Sequence, residues 1–200
     1  MPFRFLYICK GGISLKEILP LLLDHGSLFY HDYQDQRALM KFTERMQSAI
    51  NEQINFEMFS ANTYLSMSAY FAQQGLDGFA HWFFQQYREE LEHAEDMMRY
   101  IITRGGRVEI KAVDAVETNF SSALEVAEKT YAHECLVSEK IEALVRLASE
   151  EKDMPSQDFF WKYIREQVEE EANATTLIDR IRLCEGHSLL FLDKELGERK

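Results

Sequence analysis

Between residues 40 and 184 the apolar positions recur at helical spacing in four stretches of about thirty residues each. Only three prolines and nine glycines punctuate the 200 residues, so little interrupts these stretches except at their ends. Long helices that each bury one face against the others are the fold this pattern allows, an all-α bundle. The first segment runs from about Lys41 to Gln74 and stops at Gly75. The second runs from about Gly78 to Arg104, ahead of Gly105-Gly106, a favourable C-terminal cap. The third starts near Ser122, where Ser122-Ala-Leu-Glu125 reads as a capping box, and ends near Lys152. The fourth runs from about Pro155, a good first-turn residue, to about Cys184 before Gly186. A short fifth helix, about Ser188 to Leu196, closes the chain.

The connections set the topology. The first and second segments, and the third and fourth, are joined by a few residues, so each pair reads as an antiparallel hairpin. About 16 residues link the second to the third, and an extended link of that length reaches roughly 53 Å. A 30-residue helix is about 45 Å long. The link can therefore cross the whole bundle, which gives an up-down-down-up arrangement with one long crossover. Residues 1–39 differ in character: they hold no sustained helical period, and Gly11, Gly12, Pro20 and Gly26 break them up. They read either as an appendage or, the expectation favoured here, as an over-called start with translation beginning at Met40. The bundle domain is taken as 40–200.

The carboxylates that interrupt the apolar faces carry the chemistry. On the second segment Phe79, Phe83, Gln86, Glu90, His93, Met97 and Ile101 form one stripe, and Phe and Met mark it as core. Glu90 and His93 are three residues apart, on one face, where a carboxylate and an imidazole can share a metal ion. The first segment has Ile50, Ile54, Glu57, Ala61, Tyr64 and Phe71 on its inward stripe. The third has Ala127, Thr130, Glu134, Val137, Ile141 and Leu144. The fourth has Phe160, Tyr163, Gln167, Glu170, Leu177 and Ile181. Counted from the turns of their hairpins, Glu57, Glu90, Glu134 and Glu170 come within about one helical turn of a common height. Four buried carboxylates must protonate or meet cations, and no lysine or arginine lies on these stripes. Two divalent cations would compensate them. Oxygen-rich ligation with one imidazole suits iron or manganese better than structural zinc.

Composition narrows the classes further. A formal net charge of −12 disfavours nucleic acid and anionic membranes as partners and favours cations. Three cysteines, Cys9, Cys135 and Cys184, form no C-x-x-C pair, which disfavours a disulfide framework or zinc ribbon and fits the cytoplasm. No apolar run reaches transmembrane length, and the N-terminus makes a poor secretory signal. His133 and Cys135 flank Glu134, but a helix turns about 100° per residue, so both are expected to point away from the carboxylate layer as packing or surface residues.

From about residue 40 onward the chain resembles a bacterial non-haem ferritin. The resemblance rests on Asn51-Glu-Gln-Ile-Asn-Phe-Glu57, Tyr64-Leu-Ser-Met-Ser-Ala-Tyr-Phe71, Glu89-Glu-Leu-Glu-His93, Tyr131-Ala-His-Glu134, Glu166-Gln-Val-Glu-Glu170 and Leu192-Asp-Lys-Glu-Leu196. It implies a di-iron ferroxidase centre in each subunit: one iron on Glu57, Glu90 and His93, a second on Glu90, Glu134 and Glu170, with Glu90 bridging. It implies Gln167 beside the second iron, Tyr64 close by as an electron donor, and a third iron site from Glu89, Glu166, Glu169 and Glu170. The implied reaction is oxidation of two Fe(II) by dioxygen through a bridged di-ferric species, with ferric mineral stored inside a homo-oligomeric shell of 24 subunits. The short fifth helix is expected near the four-fold axes. Haem-binding relatives carry a second Glu-x-x-His on the fourth helix and a methionine after the bridging glutamate. Here those positions are Asn173 and Leu91, so no haem is expected. Rubrerythrin-like peroxidases add a Cys-x-x-Cys domain, which is lacking here, and the small DNA-protecting relatives place ligands across a subunit interface. An acidic helical oligomer that buffers cations without catalysis is the alternative from another class.

Overall fold

The computed structural model describes residues 43–184 and 189–198. Five helices account for most of them: α1 (Glu44–Gln73), α2 (Asp77–Thr103), α3 (Ala123–Glu150), α4 (Met154–Leu183) and α5 (Leu190–Leu196). Their bounds fall within a few residues of those read from the sequence, and no strand occurs among the described residues. Residues 1–39, and with them the question of where the chain's first domain boundary lies, are outside the described residues.

The ends of the helices explain themselves locally. Thr43 caps α1 by accepting from the Met46 N–H at 3.0 Å. Ser122 caps α3 by accepting from the Glu125 N–H at 3.1 Å, while Glu125 reaches back to the Ser121 N–H at 2.6 Å, one residue beyond a standard capping box. Asp153 caps α4, whose first turn holds Pro155. At the C-termini of α1 and α2, Gly75 (φ 74°) and Gly105 (φ 72°) take the left-handed turn. The N–H groups of Leu76 and Gly106 then close back on the Phe71 and Ile101 carbonyls. At the end of α3 the same turn is made by Lys152 at φ 57°, where the sequence carries no glycine.

The first hairpin, α1–α2, and the second, α3–α4, lie antiparallel. The α1 and α3 helices also run antiparallel: Thr43 meets Glu151 at one end, and Met67 meets Thr130 towards the other. The arrangement is therefore up-down-down-up, with residues 104–122 as the crossover. That link lies along α1. Gln47 accepts from the Arg107 N–H at 2.8 Å, Asn51 from the Glu109 N–H at 2.7 Å, and Asn55 from the Lys111 N–H at 2.7 Å. Asn51 and Asn55 also donate to the Arg107 and Glu109 carbonyls. Further on, Ser66 donates to the Glu117 carbonyl and Phe120 packs edge-on against Tyr70.

Two apolar clusters fill the bundle. One gathers Met46, Ile50, Ile54, Met97, Ile101, Ile141, Leu144 and Phe160. The other gathers Met67, Phe71, Phe79, Phe83, Val126, Leu177 and Ile181, and α5 closes it with Leu192 and Leu196. The residues between them along each helix are polar, and they form the layer described below. Helix α5 is seated on the start of α2 by two contacts. Leu76 provides α2 with no side-chain cap; instead Asp193 of α5 accepts from the Phe79 N–H at 2.9 Å. Gly78 lets the backbones meet, since a Cβ there would lie 1.6 Å from the Asp193 carbonyl oxygen. Gly78→Ala is expected to lift α5 away and destabilise the protein by about 1–3 kcal/mol, measurable as a lower midpoint in denaturant unfolding; an unchanged midpoint would show that α5 contributes nothing there.

Candidate metal centre

The polar layer draws one or more side chains from each long helix. Glu57 of α1, Glu90 of α2 and Glu134 of α3 are 1%, 4% and 1% exposed. Glu170 of α4 is half-buried. Each occupies a position that helical period assigns to the core, so burial of the face buries the carboxylate with it. Ligand atoms of Glu57, Glu90 and His93 lie within 4.8 Å of one another. Glu57 keeps one oxygen on the Gln53 amide at 2.8 Å. Its Oε2, and Oε2 of Glu90, are buried with no hydrogen-bond partner. Glu90 Oε2 is 3.4 Å from His93 Nδ1 without hydrogen-bond geometry. An unpartnered buried carboxylate oxygen costs several kcal/mol in principle, and two of them converging with an imidazole nitrogen make a set of open donor atoms suited to a cation.

The other two carboxylates turn their oxygens to neighbours. Glu134 accepts from the Tyr64 hydroxyl and from the Gln167 amide, the latter at 3.0 Å. Glu170 accepts from Gln86 at 3.1 Å. Glu57, Glu90 and His93 are thus brought together, while Glu90, Glu134 and Glu170 do not close into a comparable group. Nor do Glu89, Glu166, Glu169 and Glu170. Glu166 accepts from His93 Nε2 at 3.2 Å, Glu169 is exposed and Glu89 is half-buried. His133 packs between α1 and α3, stacked on Phe56 at 5.5 Å, edge-on to Tyr64 at 5.7 Å and 2.8 Å from the Ser60 hydroxyl. Neither it nor half-buried Cys135 joins the carboxylates.

The protonation of the layer follows from burial and mutual repulsion. Burial raises the Glu57 carboxyl well above the ordinary range, and the Glu90 charge raises it further. Burial likewise raises Glu90, opposed by its contacts with His93. Glu134 is raised to about 7, again chiefly by burial, against the hydrogen bonds from Tyr64 and Gln167. Burial also raises the Tyr64 phenol, helped by the Glu134 charge. Burial alone would lower His93, but its hydrogen bond to Glu166 and the neighbouring Glu90 carboxylate lift it to about 11. The same bond holds Glu166 below its usual value. The layer is therefore a store of protons, each of which a metal ion could displace.

Two contacts have no counterpart in the sequence reading. Gln53 holds Glu57, and Gln86, read there only as part of a stripe, holds Glu170. Each is a buried amide four residues ahead of a layer carboxylate, Gln53 before Glu57 and Gln86 before Glu90. That recurrence on two helices is the signal that could have found them.

Comparison with known proteins supplies the context. Residues 47–184 match the family model Ferritin, described as a ferritin-like domain. The bacterial non-heme ferritin of Bacteroides fragilis is 48% identical over 157 residues, covering 78% of this chain and 99% of that protein. That of Campylobacter jejuni is 40% identical over 138 residues, covering 69% of this chain and 83% of its own length. Among solved structures, an open pore ferritin from the hyperthermophilic archaeon Archaeoglobus fulgidus superposes with a TM-score of 0.79 at 43% identity, covering 80% of this chain and 99% of that one.

Proposed function

This chain belongs to the ferritin family of iron-storage proteins, and on that premise we propose that it oxidises Fe(II) with dioxygen at the buried carboxylate layer and stores the ferric product inside a homo-oligomeric shell of 24 subunits in the cytoplasm. The observation that carries this reading is the pair of unpartnered buried oxygens, Glu57 Oε2 and Glu90 Oε2, beside His93. Fe(II) is the substrate. One ion would be held by Glu57, Glu90 and His93. A second would be held by Glu90, Glu134 and Glu170, with Glu90 shared. Four carboxylates match the charge of two divalent cations, so the loaded layer is neutral where the metal-free one must hold protons.

The surrounding side chains have defined tasks in this scheme. Glu166 fixes the His93 ring through Nε2 and leaves Nδ1 towards Glu90, an outer carboxylate that orients a ligand. Gln53 and Gln86 hold Glu57 and Glu170 in place, and Gln167 holds Glu134. Tyr64, bonded to Glu134, would give up an electron. The third iron site, at Glu89, Glu166, Glu169 and Glu170, would share Glu166 with His93, which engages Oε1 of that carboxylate. Oxygen ligands with a single imidazole suit iron, and the buried apolar clusters above and below the layer limit access of bulk water.

The test adds two Fe(II) per subunit to metal-free protein in air and follows ferric absorbance and oxygen uptake, with a Glu90→Ala/His93→Ala variant alongside. Fast oxidation that the variant loses is expected. Oxidation no faster than in buffer would leave a cation-buffering shell as the better reading.

A further inference from the structure

Tyr163 sits on α4 one turn before Gln167, and only 3% of it is exposed. Its ring stands edge-on to that of His93, with centroids 5.3 Å apart and planes at 89°. Its hydroxyl donates to Asp96 Oδ2 at 3.0 Å. Asp96 is itself ion-paired with Lys162 and lies 3.8 Å from Arg99, so it is held ionised, with Oδ2 already accepting the Tyr163 hydrogen bond. The Lys162 ammonium also lies against the Tyr163 ring, 4.6 Å from its centroid.

We infer that Tyr163 is a second electron donor to the metal layer, giving its electron by way of His93 and its phenolic proton to Asp96. The inference rests on the ferroxidase reading above. Reducing dioxygen fully to water takes four electrons, and two Fe(II) supply two, so donors beside the site are called for. In the step, the Tyr163 O–H bond breaks and an O–H bond forms on Asp96 Oδ2. The phenol is oxidised to a neutral radical, and the oxygen species at the site, derived from dioxygen, gains one electron.

Three features favour this residue. A cation on the ring disfavours a tyrosine that loses an electron and keeps its proton, so the two must leave together, and the hydrogen bond to Asp96 is the route already in place. Asp96 lies outside the proposed ligand set, so binding of iron leaves it free to act as the base. Tyr64 differs here, because its acceptor Glu134 is a proposed ligand whose oxygens iron would engage. Finally, the Tyr163 ring packs on Phe159 at 5.7 Å, and Phe159 stacks on Tyr100 at 4.0 Å, so a radical at Tyr163 is enclosed by apolar rings that shield it from solvent.

The test mixes the full-length protein, loaded with two Fe(II) per subunit without oxygen, with oxygenated buffer, freezes samples at short times and reads the tyrosyl radical by electron paramagnetic resonance. Ferric absorbance is followed in parallel. The background carries Tyr64→Phe, to silence the other tyrosine. The expected result is a radical in that background that is lost in Tyr64→Phe/Tyr163→Phe and lost or delayed in Tyr64→Phe/Asp96→Asn, where the amide still accepts a hydrogen bond but takes no proton. Tyr163→Phe keeps the ring against His93, and an unchanged cobalt(II) absorption spectrum in that variant would show that the ligands are undisturbed. Normal iron oxidation with no radical in the Tyr64→Phe background, or with a radical that survives Tyr163→Phe, overturns the inference alone. No iron oxidation by the unmodified protein removes the ferroxidase reading and this inference with it.

Discussion

Replacing Glu90 by glutamine is expected to make the metal-free protein more stable while slowing its oxidation of Fe(II) by about 100-fold or more. The two effects have one origin. Glu90 and Glu57 are both buried carboxylates, the Glu90 charge raises the proton affinity of Glu57, and each carries an oxygen with no hydrogen-bond partner. Glu90→Gln removes one charge at constant shape and offers an amide N–H within reach of the Glu57 oxygen. Relieving a buried carboxylate oxygen that has no hydrogen bond is worth about 1–3 kcal/mol; the lost attraction to His93, 3.4 Å away, offsets part of this, leaving a net rise of a few degrees in the melting temperature. The same change removes the ligand proposed to be shared by both irons. Calorimetry of the metal-free variant beside the oxidation assay checks both halves. A variant that melts lower would show that the layer is satisfied without metal, and a variant that still oxidises iron rapidly would remove Glu90 from the reaction.

The second large effect is in pH. A divalent cation entering the layer must displace the His93 proton, held to about 11, and the partly populated proton of Glu134, whose carboxyl titrates near 7. Affinity for Fe(II) without oxygen, or for cobalt(II), is therefore expected to rise about tenfold per pH unit for each proton displaced. Titration in buffers of different ionisation enthalpy counts those protons directly. The stability of the metal-free protein should move the opposite way. The folded-state value of His93 lies above its unfolded value, so its contribution is complete below about pH 6.5 and is lost as pH rises towards 11. Glu134 acts alike, with its contribution complete below about 4.5 and lost through about 7. His133 opposes them: burial lowers it to about 4, so its contribution is present above about 6.5 and lost as pH falls. The window to read is thus pH 7 to 9, above the His133 titration, where the loss should reach about 3 kcal/mol from His93, and the raised Glu57 carboxyl acts in the same direction. A melting temperature flat across that window would show that His93 is neutral in the folded protein.

Most of the bundle was legible because its helices are long and their faces uniform. One apolar stripe per segment set the helix, and the offsets of Glu57, Glu90, Glu134 and Glu170 from their turns set a common layer. The layer's internal bonding was not legible. Period says that Glu134 faces inward, but it cannot say that Tyr64 and Gln167 occupy its oxygens, because those contacts depend on rotamers across two helix interfaces. The cap of α2 was hidden for a similar reason: Asp193 arrives from the far end of the chain, whereas capping rules look only a few residues along the sequence. Lys152 escaped because a left-handed turn usually announces itself by glycine, and here hydrogen bonds from the Lys152 and Asp153 N–H groups to the last turn of α3 accompany it instead.

The amides of Gln47, Asn51 and Asn55 have a consequence for how the chain can change in length. They recur every four residues on a helix, about 6 Å apart along its axis, and the N–H groups they meet recur every two residues of extended chain, about 6.6 Å apart. The near match works as a vernier. Adding or removing one residue between Arg107 and Lys111 would present side-chain faces where the amides beyond the change now find N–H and C=O, so the bonds at Arg107 and those at Lys111 could not be kept together. Between Lys111 and Glu117 no such contact to α1 is made among the hydrogen bonds of this link. Length variation in this part of the crossover should therefore be confined to residues 112–116, which makes that stretch the place to insert a tag or a loop while leaving the carboxylate layer in register.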